Sequence, residues 1–185
     1  EPTHRVSALR TFLFPAPAIK APTHEYLSMG ARVRELARDG GFVRVTGGFL
    51  FAGHLSRIDE FAPDFVAEAL RLLGAPYLWG GKSSLGLDCS GLVQLAMDAA
   101  GRPAPRDSDM QQAALGAPVE FDESLAGLAR GDLAFWRGHV GVMLDAHEML
   151  HANAFHMAVA REPLRAARDR ILDRGGGPIL AVRRP

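Results

Sequence analysis

The chain has 185 residues, of which 48% are hydrophobic and 23% charged, a composition typical of a folded globular protein. Lysine plus arginine and aspartate plus glutamate balance at 21 each, so no excess of charge predicts a surface for nucleic acid or an anionic membrane. The single cysteine excludes an intramolecular disulfide, and no apolar run reaches the ~18 residues of a transmembrane helix.

Residues 1–58 are predicted to form a small β-barrel. The segments RVSALRTFLF and GFVRVTGGFLFAGHL have partial alternation and a composition favouring strands. PAPAIKAP separates them with three prolines, which predicts a loop or an irregular edge. The DGG at residues 39–41 predicts a hairpin turn before FVRV.

Residues 59–185 are predicted to form a second domain, with helices first and an antiparallel sheet after them, which is the α+β class. Helical spacing of apolar residues predicts helices in FAPDFVAEALRLLG, with Pro63 in its first turn, in CSGLVQLAMDAAG, and in RDSDMQQAALG, for which Asp107 or Ser108 is a candidate N-cap. Strands are predicted for DLAFW, HVGVMLD, EMLHANAF and HMAVA, then an exposed helix in PLRAARDRILD and a last strand in PILAVRRP.

Cys89 is the candidate nucleophile. A lone cysteine is usually a small buried hydrophobe, but Cys89 follows a polar, glycine-rich loop and opens an amphipathic helix whose apolar face begins only at Leu92. Unpaired N–H groups and the helix dipole at that position favour a thiolate and are suited to hold an oxyanion.

Two histidines are candidate partners of this thiol, since a thiolate nucleophile needs an imidazole base and that base needs an orienting group. His139 begins the strand HVGVMLD, and His151 lies in the next predicted strand. A hairpin with its turn near Asp145 places the two histidines roughly opposite each other.

The segment HEMLH, residues 147–151, matches the H-E-x-x-H pattern of zinc proteases. That pattern needs a helix, where both imidazoles reach one ion, whereas on a strand the two residues lie ~13 Å apart. The flanking sequence favours a strand, but a helix here remains an alternative, with Glu162 as a possible third ligand. On the strand interpretation His147 and Glu148 take no part in the chemistry.

The blocks PYLWGGKSSLGLDCSGLVQ, APRDSDMQQ and GDLAFWRGHVGVMLDAHEMLHA resemble the core of the NlpC-type, papain-like cysteine peptidases of bacterial cell-wall metabolism. The resemblance covers about residues 61–182, and D-C-S-G-L with a following G-H-V-G is its most specific part. Residues 1–58 resemble, more faintly, the bacterial Src-homology-3-like barrels that often precede such domains.

The resemblance implies roles for eight residues. Cys89 matches the nucleophile, His139 the base and His151 the residue that orients the base, while Tyr77 matches a tyrosine whose hydroxyl lines the site. Four further residues match the substrate-binding pocket: Asp88 and Ser90, which flank the nucleophile and suit the substrate's amine, and Arg106 and Ser108, which border the same pocket. No metal or cofactor is expected.

By the same resemblance, the substrate is a murein peptide, L-Ala-γ-D-Glu-diamino acid, cut at the γ-D-glutamyl amide through an acyl-enzyme. A recycling enzyme of this kind would be cytoplasmic, and one that remodels the wall would be periplasmic or exported. No signal peptide is visible, but the chain starts at Glu1 rather than Met, so this carries little weight. The rival hypotheses are a zinc metallopeptidase using HEMLH, a catalytically inactive wall-binding module, and acyl transfer in place of hydrolysis.

Overall fold

A computed structural model describes residues 1–185, and the chain divides into two compact units, Glu1–Pro63 and Asp64–Pro185. The division falls five residues after the predicted boundary at residue 58 (63 − 58). Both units contain strands, whereas all four α-helices belong to the second.

The first unit consists of short antiparallel strands and one 3-10 turn, Ala52–His54. Its strands are β1 His4–Val6, β2 Arg10–Leu13, β3 Glu25–Ser28, β4 Arg32–Val33, β5 Ala37–Asp39, β6 Phe42–Val45, β7 Gly48–Phe51 and β8 Leu55–Arg57. They form three small sheets, in the orders β4-β1-β8, β2-β3 and β5-β6-β7. A hydrophobic cluster centred on Val43, Val45 and Leu50 packs between them.

Two sequence predictions for this unit are confirmed. Asp39 pairs with Phe42, so Gly40 and Gly41 form the two-residue turn of the β5–β6 hairpin, and Gly40 has a φ of +55°. The proline-rich segment lies between β2 and β3 and contains no strand, because proline lacks the N–H that a sheet requires.

The second unit begins with three helices and ends with a fourth before its last strand. They are α1 Phe65–Leu70, α2 Cys89–Ala99, α3 Ser108–Ala114 and α4 Leu164–Asp173. All four were predicted, but Pro63 lies before the first turn of α1, because the Asp64 carboxylate is the N-cap and accepts from the N–H groups of Val66 and Ala67. Gly74 and Gly101, with φ of +82° and +72°, end the first two helical segments as the sequence indicates. None of these helices is both long and apolar enough to cross a membrane.

The strands of the second unit build one six-stranded antiparallel sheet and one small hairpin. They are β9 Lys82–Ser83, β10 Gly86–Leu87, β11 Ala117–Pro118, β12 Leu133–Trp136, β13 His139–Met143, β14 Glu148–Asn153, β15 Ala158–Pro163 and β16 Ala181–Arg184. The large sheet has the order β11-β16-β12-β13-β14-β15, which confirms the α+β prediction. The β9–β10 hairpin and β11 were not predicted, since each of their strands has only two residues.

Residue alternation assigns the two faces of the central strands. Met143 and Met149 pair across β13 and β14 and pack with Leu164 and Ala167 of α4. Side chains two residues apart share a face, so His151 lies on this α4 face as well. Helix α2 also contacts β13 and β14.

Candidate active site

Cys89 is the first residue of α2, and Asp88 is its N-cap. Asp88 has extended backbone angles, and its Oδ1 accepts from the N–H of Gly91 at 2.7 Å, the bond that starts the helix. Cys89 is 7% exposed and lines a pocket of about 410 Å³. The other residues of this pocket are Trp79, Gly80, Asp88, Ser90, Arg106, Asp107, Ser108 and Gly138.

The Asp88 carboxylate forms a bidentate ion pair with Arg106, with nitrogen–oxygen distances of 2.9 and 2.6 Å. The same guanidinium donates to Ser90 Oγ at 3.0 Å, and the N–H of Gly80 donates to Asp88 Oδ2 at 3.0 Å. Burial alone would raise the pKa of Asp88, but the bonds from Arg106 and Gly91 hold it below its ordinary value. Four predicted site residues, Asp88, Ser90, Arg106 and Ser108, therefore lie around one pocket with Cys89.

The thiol of Cys89 is neutral at pH 7. Burial raises its pKa and the charge of Asp88 adds to that effect, whereas hydrogen bonds to the sulfur from the N–H groups of Val140, Ser90 and Cys89 lower it only in part. The N–H groups at the start of the helix lower this pKa, as the sequence predicts, but burial raises it by more, so the thiol is not ionised as expected.

The sulfur lies against the beginning of β13. Cys89 Sγ is 3.9 Å from the carbonyl oxygen of Gly138, and the N–H of Val140 also reaches it, so the backbone on both sides of His139 contacts this sulfur. Gly138 has a φ of +70° in the turn between β12 and β13, and Trp136 pairs with His139 across that turn.

His139 and His151 are joined by a hydrogen bond between His139 Nε2 and His151 Nδ1, at 2.8 Å. The β13–β14 register continues to place Gly141 beside His151, where a Cβ on that glycine would lie 3.5 Å from the Cβ of His151. The predicted hairpin is confirmed, but the two histidines form a diagonal pair rather than a directly opposed one. Diagonal partners on one sheet face are within reach of long side chains.

Both imidazoles are neutral at pH 7. Burial lowers the pKa of His139 to about 3, with further lowering from His151 and Arg170. Burial also lowers the pKa of His151, which is fully buried, although the hydrogen bond to Glu162 opposes that effect. A neutral imidazole has one nitrogen that donates and one that accepts.

Glu162 of β15 extends the chain of contacts beyond the histidines. Its Oε1 lies 2.6 Å from His151 Nε2, and the guanidinium of Arg170 on α4 pairs with the same oxygen. Burial alone would raise the pKa of Glu162, but the bond from His151 and the charge of Arg170 leave it below its ordinary value. In the sequence, Glu162 was proposed only as a third zinc ligand for HEMLH. The available signal was register: β15 pairs Ala160 with His151, which puts residue 162 diagonally beside it.

The zinc-protease interpretation of HEMLH is wrong. Glu148 to His151 lie in β14, and His147 is exposed in the turn before it, where Asp145 Oδ1 accepts from the N–H groups of His147 and Glu148. Glu148 instead pairs with Arg161 on the neighbouring strand. On a strand, His147 and His151 are too far apart to share one ion.

A different group, His151, His156 and Glu162, holds candidate metal-ligand atoms within 4.8 Å of one another. Its chemistry does not favour a cation, because the Arg170 guanidinium already pairs with Glu162 Oε1. His151 Nε2 bonds to the same oxygen, and His156 Nδ1 lies 3.1 Å from Asn153 Oδ1. The group is therefore a hydrogen-bonded network with one positive charge already in place.

Two aromatic residues lie near the sulfur. Burial raises the pKa of Tyr77, and the electrostatic effects of Cys89 and Asp88 raise it further, which places the phenol within electrostatic range of both groups, but Tyr77 is not among the residues that line the pocket around Cys89. Trp79 is 81% exposed at the pocket edge. Trp79, Asp107 and Gly138 were not predicted as site residues, although all three stand in the sequence blocks that resemble the family, and Asp107 was predicted only as a candidate N-cap.

Comparison with known proteins gives a match to the NlpC/P60 family model over residues 74–168. The chain is 38% identical over 134 residues to the gamma-D-glutamyl-L-lysine dipeptidyl-peptidase of Bacillus subtilis, which covers 63% of this chain and 43% of that protein. It is 35% identical over 102 residues to dipeptidyl-peptidase 6 of Lysinibacillus sphaericus, over 55% of this chain and 36% of that protein. The chain thus spans less than half the length of these curated relatives.

Among solved structures, an NlpC/P60 family protein from Bacillus cereus matches the whole of this chain and 63% of its own, with a TM-score of 0.75 and 25% sequence identity. The match includes both compact units. The family match contains Cys89, His139, His151 and Glu162.

Proposed function

The chain belongs to the NlpC/P60 family, and on that basis we propose that it is a cysteine endopeptidase that hydrolyses peptidoglycan stem peptides at the γ-D-glutamyl–diamino acid amide. The observation that carries the proposal is the juxtaposition of the sulfur of Cys89 with the beginning of β13, where His139 is hydrogen-bonded to His151. A thiol, a neutral imidazole and an orienting group are the parts that acyl transfer through sulfur requires.

The mechanism starts from a neutral thiol and a neutral imidazole. As the sulfur attacks the γ-carbonyl carbon of D-glutamate, its proton passes to His139, and the N–H groups at the start of α2 stabilise the oxyanion. The amide C–N bond then breaks, His139 gives its proton to the leaving amine, and an acyl-enzyme on Cys89 remains. Water attacks this thioester with His139 as base, releasing the peptide acid and the free thiol.

We propose Asp107, rather than Asp88, as the residue that receives the positive amine of a peptide substrate. Asp88 already shares its charge with Arg106, so its role is to start α2 and to fix the pocket wall. Asp107 also lines the pocket, is exposed, and makes no side-chain cap bond to α3. An exposed carboxylate in a pocket of about 410 Å³ suits the ammonium end of a short peptide.

The first unit is proposed to be a bacterial Src-homology-3-like module. Its short antiparallel strands, closed by tight turns around one hydrophobic cluster, support this proposal. All residues that line the pocket around Cys89 belong to the second unit.

The test uses three substrates: L-Ala-γ-D-Glu-diaminopimelate, the same peptide with an acetylated amine, and intact sacculi. We expect the free peptide to be cut at the γ-D-glutamyl bond with the addition of one water by mass, and the acetylated peptide at least tenfold more slowly. Hydrolysis of the free peptide alone supports a recycling role in the cytoplasm, and release from sacculi supports wall remodelling outside it. Asp107→Asn is expected to reduce the difference between the cleavage rates of the free and the acetylated peptide.

Two variants and two reagents identify the chemistry. Cys89→Ala should remove turnover, and an alkylating agent should do the same with one adduct, since Cys89 is the only cysteine. Glu148→Gln, which removes the acid of HEMLH, should leave turnover unchanged, as should a chelator. Full activity of Cys89→Ala contradicts the proposal, and a product that carries another acyl acceptor in place of water indicates transfer rather than hydrolysis.

A further inference from the structure

We infer that Glu162, held by Arg170, is a positioning residue that fixes the tautomer of His151 and through it the tautomer of His139, so that the ring nitrogen required as base is unprotonated. This inference rests on the proposed function, because it concerns how that function's base is prepared. It adds two residues, one from β15 and one from α4, to the predicted set of Cys89, His139 and His151.

The side chain of Glu162 is negatively charged. The bond from His151 and the charge of Arg170 keep this carboxylate ionised, so it accepts hydrogen bonds and cannot donate them. Its side chain is 11% exposed and that of Arg170 is 18% exposed, so solvent screens the pair only weakly. The Arg170 guanidinium also lies 4.3 Å from the centre of the Phe155 ring, which fixes its position from the other side.

The contact with Glu162 determines which ring nitrogen of His151 carries the proton. Because Glu162 Oε1 only accepts, the 2.6 Å contact requires a proton on His151 Nε2. His151 is fully buried and neutral, so its Nδ1 carries a lone pair and no proton.

The position of the proton on His151 in turn determines the tautomer of His139. Since His151 Nδ1 accepts, the 2.8 Å contact requires that His139 Nε2 donate. His139 is neutral too, so its Nδ1 is the free basic nitrogen. With an uncharged donor in place of Glu162, His151 can take the opposite tautomer, and His139 Nδ1 would then carry the proton and lose its use as a base.

The sheet and helix positions explain why these residues meet. His151 pairs with Ala160, so Glu162 lies diagonally beside it on the same sheet face. That face is the one on which α4 packs through Leu164 and Ala167, and Arg170 is on α4. The contact series from His139 to Arg170 therefore runs along one covered surface.

The main experiment replaces Glu162 with glutamine, which keeps the shape but adds an N–H donor. We expect kcat to fall at least tenfold with KM within twofold of wild type, because the pocket residues around Asp107 are untouched. Glu148→Gln is the matched control: it breaks another Glu–Arg pair, between Glu148 of β14 and Arg161 of β15, and should leave both constants unchanged. Glu162→Asp, which retains the carboxylate, should recover part of kcat, and a wild-type kcat in Glu162→Gln overturns the inference.

A second readout does not depend on turnover. Nitrogen-15 NMR of the imidazoles distinguishes the two neutral tautomers, and His139→Gln and His151→Gln assign the signals. Wild type should show protons on Nε2 of both rings, and Glu162→Gln should shift His151 towards the Nδ1-protonated form. Glu162→Ala, which removes the acceptor of the His151 Nε2–H, is the second variant if Glu162→Gln does not fold. Unchanged imidazole signals in both variants overturn the inference, whereas an inactive wild type with these signals would reject only the proposed function.

Discussion

At the scale of single residues, the candidate site keeps Cys89 and His139 uncharged at pH 7. Burial raises the pKa of the thiol and lowers that of the imidazole, so the two groups do not form a stable thiolate–imidazolium pair before attack. A neutral His139 can accept the thiol proton during the reaction, which is the role of a general base.

The pKa of His139 predicts acid sensitivity of the fold. The unfolded chain binds a proton at His139 with a pKa near 6.5, but the folded protein does so only near 3. The unfolded state therefore binds more protons between these values, and stability present above pH 6.5 is lost as the pH falls towards 3. At pH 5 the expected loss is on the order of 2 kcal/mol.

Urea unfolding at pH 7 and pH 5 measures this effect. Wild type should lose more unfolding free energy between the two pH values than His139→Gln, which has no imidazole to protonate. Equal losses in the two proteins would mean that His139 is not the group responsible.

At the scale of elements, the start of α2 is fixed by close packing as well as by its cap. A Cβ on Gly91 would approach the carbonyl oxygen of Gly81 to under 3.0 Å, which real side chains do not tolerate. The loop before the helix therefore lies directly on its first turn, and the Asp88 carboxylate joins the two through the N–H groups of Gly80 and Gly91. This contact sets where Cys89 stands.

Gly91→Ala should destabilise the protein by about 1–3 kcal/mol, because the backbone oxygen of Gly81 cannot move aside cheaply. Helix propensity alone predicts the opposite, a gain of up to about 1 kcal/mol for alanine over glycine. Thermal unfolding distinguishes these two predictions, and Ala99→Gly near the end of the same helix measures the effect of helix propensity on stability. A raised melting temperature in Gly91→Ala would show that the loop is not in close contact with the helix.

At the scale of the whole molecule, each compact unit has a hydrophobic cluster of its own. Leu50 is fully buried in the cluster of the first unit, and Leu150 is fully buried in the sheet of the second. Truncation of a buried leucine to alanine costs about 2–5 kcal/mol, and the loss should fall on the unit that contains it.

Hydrogen exchange resolved by peptide tests this expectation. Leu50→Ala should speed exchange in residues 1–63 and leave 64–185 protected, and Leu150→Ala should do the reverse. Leu36→Ala and Leu180→Ala, about half exposed in their respective units, should change neither. Loss of protection throughout the chain in Leu50→Ala would mean that the two units unfold together.

The sequence alone determined the four helices, the central strands of the large sheet and four of the residues that share the pocket with Cys89. Hydrophobic periodicity and the effects of proline and glycine depend on only a few neighbouring residues. The sequence blocks around Cys89, Arg106 and His139 are likewise contiguous, so these features can be predicted from short segments. Only the tertiary structure decided the protonation of Cys89 and the parts played by Glu162 and Arg170. Those depend on burial and on the register of β14 with β15, and desolvation is a property of the whole packed environment, which no short segment specifies.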